Sequence, residues 1–141
     1  MNSQRLGIGF DLVEVDRVSR LMDRWGDRLL RRLLAPNERK YVASKHRPAL
    51  HVAGMVAAKE ACFKVLGLGP GQGVGWHDVV ISHSPDGAPL IETVGDARRL
   101  LETRGAVAMA VSISHERSMA GAVAVLVMPE HVTLTQGTQQ R

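Results

Sequence analysis

The chain has 141 residues, 45% of them hydrophobic and 23% charged, which is typical of one globular domain with a modest core. No uncharged apolar run reaches the ~18 residues of a membrane span, and the lone Cys62 excludes an intramolecular disulfide and permits the cytoplasmic location that we expect. The formal net charge of +4 indicates an acidic or phosphorylated partner.

The first half of the chain predicts one strand followed by helices. Residues 6–13, LGIGFDLV, are an apolar run broken by glycine, which is typical of a strand. Apolar residues then recur at helical spacing and give a helix over 14–25 one apolar face. Further helical segments are predicted over 27–34, 36–44 and 49–66, and a glycine ends the last of them.

The second half begins with the loop 67–75, GLGPGQGVG, whose five glycines exclude a regular element. Apolar and alternating patterns downstream indicate four strands and one helix, separated by turn sequences. The predicted strands are 76–83, 88–94, 106–114 and 119–128, and the predicted helix is 96–103.

This order of strands and helices predicts an α+β fold in which a small antiparallel sheet packs on the long helix. We expect one domain over residues 1–128 and a disordered tail over 129–141, because the tail is polar and lacks periodicity. Strands 106–114 and 119–128 are apolar on both alternating faces, so one face would be exposed in a monomer, which predicts an oligomer.

Three charged residues are candidates for chemistry at a phosphate. Asp11 precedes a helix, where an aspartate is most often the N-cap. Glu60 and Lys64 lie four residues apart on the long helix and form either an exposed ion pair or part of a site. With phosphate oxygens and water, Asp11 and Glu60 would supply the all-oxygen coordination that Mg²⁺ prefers, and a nearby lysine would stabilise a transferring phosphate.

Two further segments are candidates for ligand binding. The glycines of the loop 67–75 let backbone N–H groups approach a ligand, although a flexible connector would have the same composition. Ser112, Ser114 and His115 end a strand, where three interpretations stay open. They are a polar turn, a phosphate site, or a nucleophilic Ser–His pair without the usual glycine elbow.

Arginines recur along one side of the first helix. Arg17, Arg20 and Arg24 are spaced by three and four residues, on the side away from the apolar face. The row is either a solvated surface or a binding surface for an acidic helix or a nucleic-acid backbone. If it is a docking surface, we expect it to lie away from the chemistry.

Three motifs in this order resemble those of the holo-acyl-carrier-protein synthases over residues 6–128. They are GIGFDLVEVDRV, AAKEACFKVLGLG, and VSISHE followed by MAGAVAVLV. The resemblance implies a 4′-phosphopantetheinyl transferase-like fold and an Mg²⁺-dependent enzyme. It would transfer the 4′-phosphopantetheine moiety of coenzyme A to a serine of an apo acyl carrier protein and release 3′,5′-ADP. The group that takes the serine proton stays open between a metal-polarised water and one of the carboxylates.

The resemblance also implies roles for individual residues. Asp11 and Glu60 would hold Mg²⁺ together with the diphosphate of coenzyme A, and Lys64 would lie near the transferred phosphate. His115 would lie near the nucleotide. The residues expected to bind coenzyme A are Lys64, Gly67, Gly69, Ser114 and His115.

The implied partner is an acidic acyl carrier protein, held by Arg17 and Arg24 with Arg20 in the same row. The family forms homotrimers with active sites between subunits, and no membrane or nucleic-acid partner is expected. One departure concerns Met55, where family members often carry an arginine that contacts a coenzyme A phosphate. Either Arg47, His51 or another basic residue replaces that arginine, or the affinity for the nucleotide is reduced.

The alternative is a small basic, non-catalytic module that binds RNA or an acidic protein. The arginine row favours it, whereas the content of two Trp, one Tyr and two Phe argues against recognition by base stacking. The two carboxylates Asp11 and Glu60 would have no role in such a module. A hydrolase that uses the Ser–His segment is a third possibility.

Overall fold

The computed structural model of the protein describes residues 3–130, which contain five strands and five α-helices in the predicted order. The strands are β1 (Gln4–Glu14), β2 (Val79–His83), β3 (Pro89–Thr93), β4 (Ala108–His115) and β5 (Met119–Pro129). The helices are α1 (Val15–Trp25), α2 (Asp27–Leu33), α3 (Pro36–Ala43), α4 (Pro48–Leu66) and α5 (Gly95–Thr103). Within residues 3–130, no helix combines the length and the apolar composition that crossing a bilayer requires.

The α+β class is confirmed, and the strands form two antiparallel sheets rather than one. The larger sheet has the order β1-β5-β4, and β2 and β3 form a separate hairpin. Helix α4 packs on the larger sheet, where Ala120, Ala122 and Ala124 of β5 are buried. These small side chains let the helix lie close to the sheet, so the core is thin at this point.

Two local predictions are wrong. Residues 76–78 form a 3₁₀ turn instead of the start of a strand, because the Asp78 side chain accepts the N–H of Gly75 at 2.7 Å and closes the turn. Asp11 is not a helix N-cap, because β1 continues to Glu14, which occupies the N-cap position of α1. Asp11 instead lies within β1, in register with Ala122.

The predicted disordered tail lies almost entirely outside the described residues. Pro129 still belongs to β5, and the N–H of Glu130 donates to the carbonyl of Ser3 at 3.0 Å. Residues 131–141 lie beyond the part of the chain that the structure describes. Their disorder stays a prediction.

The outer face of the larger sheet is apolar and uncovered in a single chain. Alternate residues of β1 point away from α4 and expose more than half of their surface: Leu6 62%, Ile8 69%, Phe10 52% and Leu12 56%. Val123 of β5 is also exposed on this face. The exposed apolar face expected from the strand pattern is therefore present, and β1 contributes most of it.

A buried ion pair joins α3, α4 and the second sheet. Lys59 Nζ lies 2.7 Å from Glu38 Oε2, and both side chains are fully buried. Lys59 also donates to the carbonyl of Trp76 at 2.7 Å, and Glu38 accepts the N–H groups of Ala35 at 2.6 Å and Ile81 at 2.7 Å. Burial lowers the pKa of Lys59, and the Glu38 carboxylate opposes that effect. Because both charges have several partners, the pair fixes how α4 sits against its neighbours.

Strand β1 and helix α4 are in backbone contact at Gly9. A Cβ at Gly9 would lie 2.1 Å from the carbonyl oxygen of Ala61 and 3.1 Å from the amide nitrogen of Val65. Both atoms are helix backbone, so no rotamer change relieves the clash. At Gly7, a Cβ would meet the Cγ2 of Val65 at 2.8 Å, which is a longer distance and a side-chain atom rather than backbone. Gly9 therefore sets the distance between β1 and α4.

We predict that Gly9→Ala destabilises the protein far more than Gly7→Ala does. The added methyl at position 9 must push β1 away from α4, and overpacking of this kind costs about 2 kcal/mol or more of the free energy of unfolding. Gly7→Ala is the matched control, because its methyl meets only the end of the Val65 side chain, and at a longer distance. Urea unfolding of both variants measures the difference, and equal midpoints would show that the strand–helix distance does not depend on Gly9.

Candidate active site

The structure brings together three residues that the sequence singles out: Asp11 on β1, and Glu60 and Lys64 on α4. Lys64 Nζ donates to Asp11 Oδ1 at 3.0 Å and to the carbonyl of Phe10 at 2.8 Å. The side chain of Asp11 is 15% exposed and that of Lys64 is 55% exposed. Because Lys64 is so exposed, its ion pair contributes little to folding stability. The contact with Asp11 mainly fixes the position of the ammonium group.

Glu60 is half-buried beside this ion pair. Burial raises the pKa of Glu60, and the Asp11 carboxylate raises it further, whereas Lys64 and Arg17 lower it. The two carboxylates are therefore close enough to repel each other, and the cationic Lys64 and Arg17 oppose that repulsion. Such an arrangement favours the binding of a cation.

A cleft of about 530 Å³ opens beside the two carboxylates. Asp11, Glu60 and Arg17 lie among the residues that line it, and most of the others are apolar side chains of β1, α1, α2 and α4. The cleft thus joins a charged region to an apolar interior. A ligand with a charged head and a less polar arm has matching surroundings there.

A second groove of about 350 Å³ lies between α4 and the glycine loop, and Glu60 and Lys64 line it together with Gly67 and Gly69. Gly67 ends α4 in the left-handed region, with φ 76°. The N–H of Gly67 donates to the carbonyl of Phe63 at 2.9 Å, and that of Gly69 donates to a side-chain oxygen of the same loop at 3.1 Å. The two glycines therefore offer space beside Lys64 rather than unused N–H donors.

Arg17 corrects one expectation about the arginine row. The row was expected to lie away from the chemistry, but Arg17 lines the cleft and lowers the pKa of Glu60. Arg20 and Arg24 are exposed further along α1 and do not line the cleft. The physical reason is that α1 follows β1 directly, so its first turn lies beside Asp11.

The donor set at Asp11 and Glu60 fits Mg²⁺. Both side chains offer only oxygen, and their mutual repulsion would be relieved by a divalent cation. Within residues 3–130, no group of three or more His, Cys, Asp or Glu side chains could hold a metal ion. The remaining positions would be filled by substrate oxygens and water, as is usual for Mg²⁺ bound with a phosphorylated substrate.

Within one chain, Ser114 and His115 do not line the cleft and the groove that contain Asp11, Glu60 and Lys64. Ser114 and His115 both line a pocket on the outer face of the larger sheet, and His115 also lines a pocket together with His51 and His83. In the part of the chain that the structure describes, no hydrogen bond joins Ser112 or Ser114 to a histidine. The hydrolase interpretation therefore lacks its nucleophile–base contact.

Two features of this region depend on contacts between distant residues, which no local sequence pattern indicates. The ion pair of Lys59 and Glu38 joins residues 21 positions apart, and neither residue belongs to a local pattern that indicates burial. The pocket of His51, His83 and His115 combines side chains from α4, β2 and β4. Only the assembled fold brings such separated residues together.

Comparisons with known proteins agree on one family. The model of the 4′-phosphopantetheinyl transferase superfamily matches residues 7–120. Holo-acyl-carrier-protein synthases of Solidesulfovibrio magneticus and Syntrophus aciditrophicus are 44% and 40% identical over 120 residues, which cover 85% of this chain and 96% and 94% of theirs. The crystal structure of the Helicobacter pylori synthase in complex with coenzyme A is similar, with a TM-score of 0.75 and 34% identity, covering 84% of this chain and 98% of that chain.

Proposed function

The chain belongs to the 4′-phosphopantetheinyl transferase superfamily, and we propose that it works as a holo-acyl-carrier-protein synthase with Mg²⁺ held by Asp11 and Glu60. It transfers the 4′-phosphopantetheine moiety of coenzyme A to a serine of an apo acyl carrier protein and releases 3′,5′-ADP. The observation that carries the proposed site is the juxtaposition of two repelling carboxylates that line a largely apolar cleft, one of which accepts a hydrogen bond from Lys64.

Each residue of the site has a distinct task in this proposal. Mg²⁺, when bound, supplies positive charge that offsets the diphosphate of coenzyme A. Lys64 has three N–H donors, and Asp11 and the carbonyl of Phe10 accept two of them. The third donor can bind an oxygen of the transferred phosphate and stabilise charge as the bond to 3′,5′-ADP breaks. Asp11 holds the ammonium in place before the substrate arrives, which limits reorganisation during the reaction.

The alternative of a non-catalytic basic module finds no support in the comparisons, which agree on an enzyme family. The paired carboxylates also argue against it, because a surface that binds RNA or an acidic protein gains nothing from adjacent negative charges. Magnesium dependence of coenzyme A binding would distinguish the two functions directly.

We predict that Asp11→Asn and Glu60→Gln each lower the rate of transfer by about 100-fold or more at ordinary magnesium, because a displaced diphosphate no longer meets the serine. Intact mass of an apo carrier protein incubated with coenzyme A measures the rate. Glu102→Gln on α5 is the control, since it removes one carboxylate from an exposed ion pair away from the cleft. Melting curves separate lost chemistry from lost folding, and ordinary turnover by either site variant would contradict the metal site.

A homotrimer is the proposed assembly. The apolar outer face of the larger sheet supports it, because so much exposed apolar surface is unusual on a monomer. The separation of the histidines from the carboxylates within one chain supports it further, as the positions of His51 and Glu60 show. They are nine residues apart on α4, so they lie about 13 Å apart along the helix and on opposite sides of it. A second copy on the outer face can bring the carboxylates of one chain towards the histidines of another.

We predict that Ile8→Asp dissociates the oligomer, because it places a carboxylate in the middle of the apolar face. Light scattering at micromolar concentration should give the mass of three chains for the wild type and of one chain for the variant. Trp25→Asp, at the end of α1 and also exposed, is the matched control and should keep the wild-type mass. A monomeric wild type would refute the assembly.

The arginine row is the proposed docking surface for the acidic carrier protein. Arg17, Arg20 and Arg24 are exposed on α1, while Val15 and Val18 of the same helix pack inward. The Arg24 guanidinium lies 5.0 Å from the ring centroid of the exposed Trp25, which adds an aromatic anchor to the charged row. Because Arg17 begins the row at the cleft, a partner that docks along α1 has its reacting serine near Asp11 and Glu60.

We predict that Arg24→Glu raises the KM for carrier protein by about tenfold and leaves the KM for coenzyme A unchanged, because Arg24 lies outside the cleft. Arg17→Glu should change both constants, since it also places a carboxylate beside Glu60. Arg98→Glu on α5 is the control for a general loss of positive charge. Steady-state kinetics with each substrate varied in turn tests these variants. A wild-type KM for carrier protein in Arg24→Glu would show that the row is only a solvated surface.

A further inference from the structure

Trp76 forms part of the wall of the 530 Å³ cleft, and contacts from several sides hold it there. Its backbone carbonyl accepts a hydrogen bond from Lys59 Nζ at 2.7 Å. Its ring meets that of Phe63 edge-on, with centroids 5.2 Å apart and 77° between the planes. The next residue, His77, places Nε2 2.7 Å from the carbonyl oxygen of Arg31 on α2. The half-buried indole ring is therefore held in place at the cleft.

Trp76 and Phe63 stand between two spaces. Trp76 lines the cleft, and Phe63 lines the groove of about 350 Å³ between α4 and the glycine loop. Glu60 lines both spaces, so the charged site lies where the two meet. The aromatic pair therefore bounds the cleft on the side of the groove, and a ligand in the cleft meets the indole ring as a wall.

The indole N–H of Trp76 is an unused donor. Within residues 3–130 it makes no hydrogen bond, and it is accessible rather than enclosed. An indole N–H beside apolar surface usually finds an acceptor. Most of the other side chains around it in the cleft are apolar, among them Leu21, Leu29, Leu33 and Val56. Such a space favours a ligand that combines apolar surface with a few hydrogen-bond acceptors.

We infer that Trp76 determines which donor the enzyme accepts, because it binds the arm of coenzyme A and bounds the space beyond the sulfur of that arm. On the proposed function, on which this inference rests, the diphosphate lies at Asp11 and Glu60, where the cleft begins. The arm that leaves the diphosphate carries geminal methyl groups and amide groups. These groups match the apolar walls and the free indole N–H. A bulky acyl group on the sulfur would have to pass the ring of Trp76.

The bonds that form and break are the same for an acylated donor. The serine oxygen bonds to the β-phosphorus, the bond from that phosphorus to 3′,5′-ADP breaks, a proton is released, and the thioester stays intact. An acyl-coenzyme A would thus give an acylated carrier protein in a single step. Discrimination between the two donors must come from the space around the sulfur, and Trp76 bounds that space.

The first test compares coenzyme A with 3′,5′-ADP, which lacks the arm. Calorimetry on the full-length protein at fixed magnesium gives both affinities. Trp76→Ala should lower the affinity for coenzyme A by about 20-fold and leave that for 3′,5′-ADP unchanged, because it removes both the ring and the donor. Trp76→Phe keeps a ring and should lose only about fivefold, the worth of one hydrogen bond. Leu90→Ala, an exposed position on β3 outside the cleft, should bind both ligands as the wild type does.

The second test measures the choice of donor. Octanoyl-coenzyme A and coenzyme A compete for one apo carrier protein, and intact mass gives the ratio of octanoylated to free product. Trp76→Ala should raise this ratio by about tenfold, because the smaller side chain opens the cleft towards the groove. Trp76→Phe keeps an aromatic wall and should change the ratio by about twofold or less. A wild-type ratio in Trp76→Ala would overturn the inference.

Indole N–H NMR of the wild type gives a measurement that does not depend on a variant that folds. The chain has two tryptophans, and the spectrum of Trp25→Phe assigns their signals. Coenzyme A should shift the Trp76 signal, and 3′,5′-ADP should not. A Trp76 signal that ignores coenzyme A contradicts the inference. An equal loss of both affinities in a folded Trp76→Ala does so too, because Trp76 then only supports the fold.

The failure of this inference is distinguishable from that of the proposed function. Normal transfer from coenzyme A by the wild type, with a Trp76 signal that does not respond to coenzyme A, refutes the role of Trp76 and leaves the enzyme assignment standing. A wild type that neither binds coenzyme A nor modifies any carrier protein refutes the proposed function itself.

Discussion

The backbone contact between β1 and α4 at Gly9 is the constraint on which the rest of the structure depends. A strand and a helix seldom meet without intervening side chains, and here a Cβ at Gly9 would overlap the carbonyl oxygen of Ala61. Asp11 lies two residues later on the same face of β1, so the contact places its carboxylate beside α4. Lys64 and Asp11, 53 positions apart in the sequence, are hydrogen-bonded as a result.

The rotation of α4 about its axis is fixed by a second, buried interaction. Lys59 and Glu60 are adjacent and therefore project about 100° apart around the helix. Lys59 is held inside by Glu38 and by the carbonyl of Trp76, which leaves Glu60 directed to the cleft beside Asp11. One charged residue of the helix thus sets its orientation, and the next places a second carboxylate beside Asp11. Close approach and fixed rotation together bring the two carboxylates of the proposed Mg²⁺ site beside each other.

The sequence predicted the order of elements and the meeting of Asp11, Glu60 and Lys64, because periodicity and a family resemblance both report on local motifs. Predictions from the sequence were wrong where packing between distant residues determines the structure. The N-cap interpretation of Asp11 was wrong because pairing with β5 extends β1 to Glu14. The strands form two sheets where one was predicted, because strand pairing is a tertiary property. Arg17 lies close to Glu60, because the placement of a helix is a tertiary property too. The ion pair of Lys59 with Glu38 has no local pattern at all.

The location of a divalent cation tests the central claim most directly. Anomalous scattering from Mn²⁺, in crystals grown with coenzyme A, reports the metal position without reference to activity. The strand–helix contact predicts one strong peak within bonding distance of a carboxylate oxygen of Asp11 and one of Glu60, with diphosphate oxygens completing the coordination. A peak that contacts neither carboxylate, with the diphosphate bound elsewhere, would contradict the account.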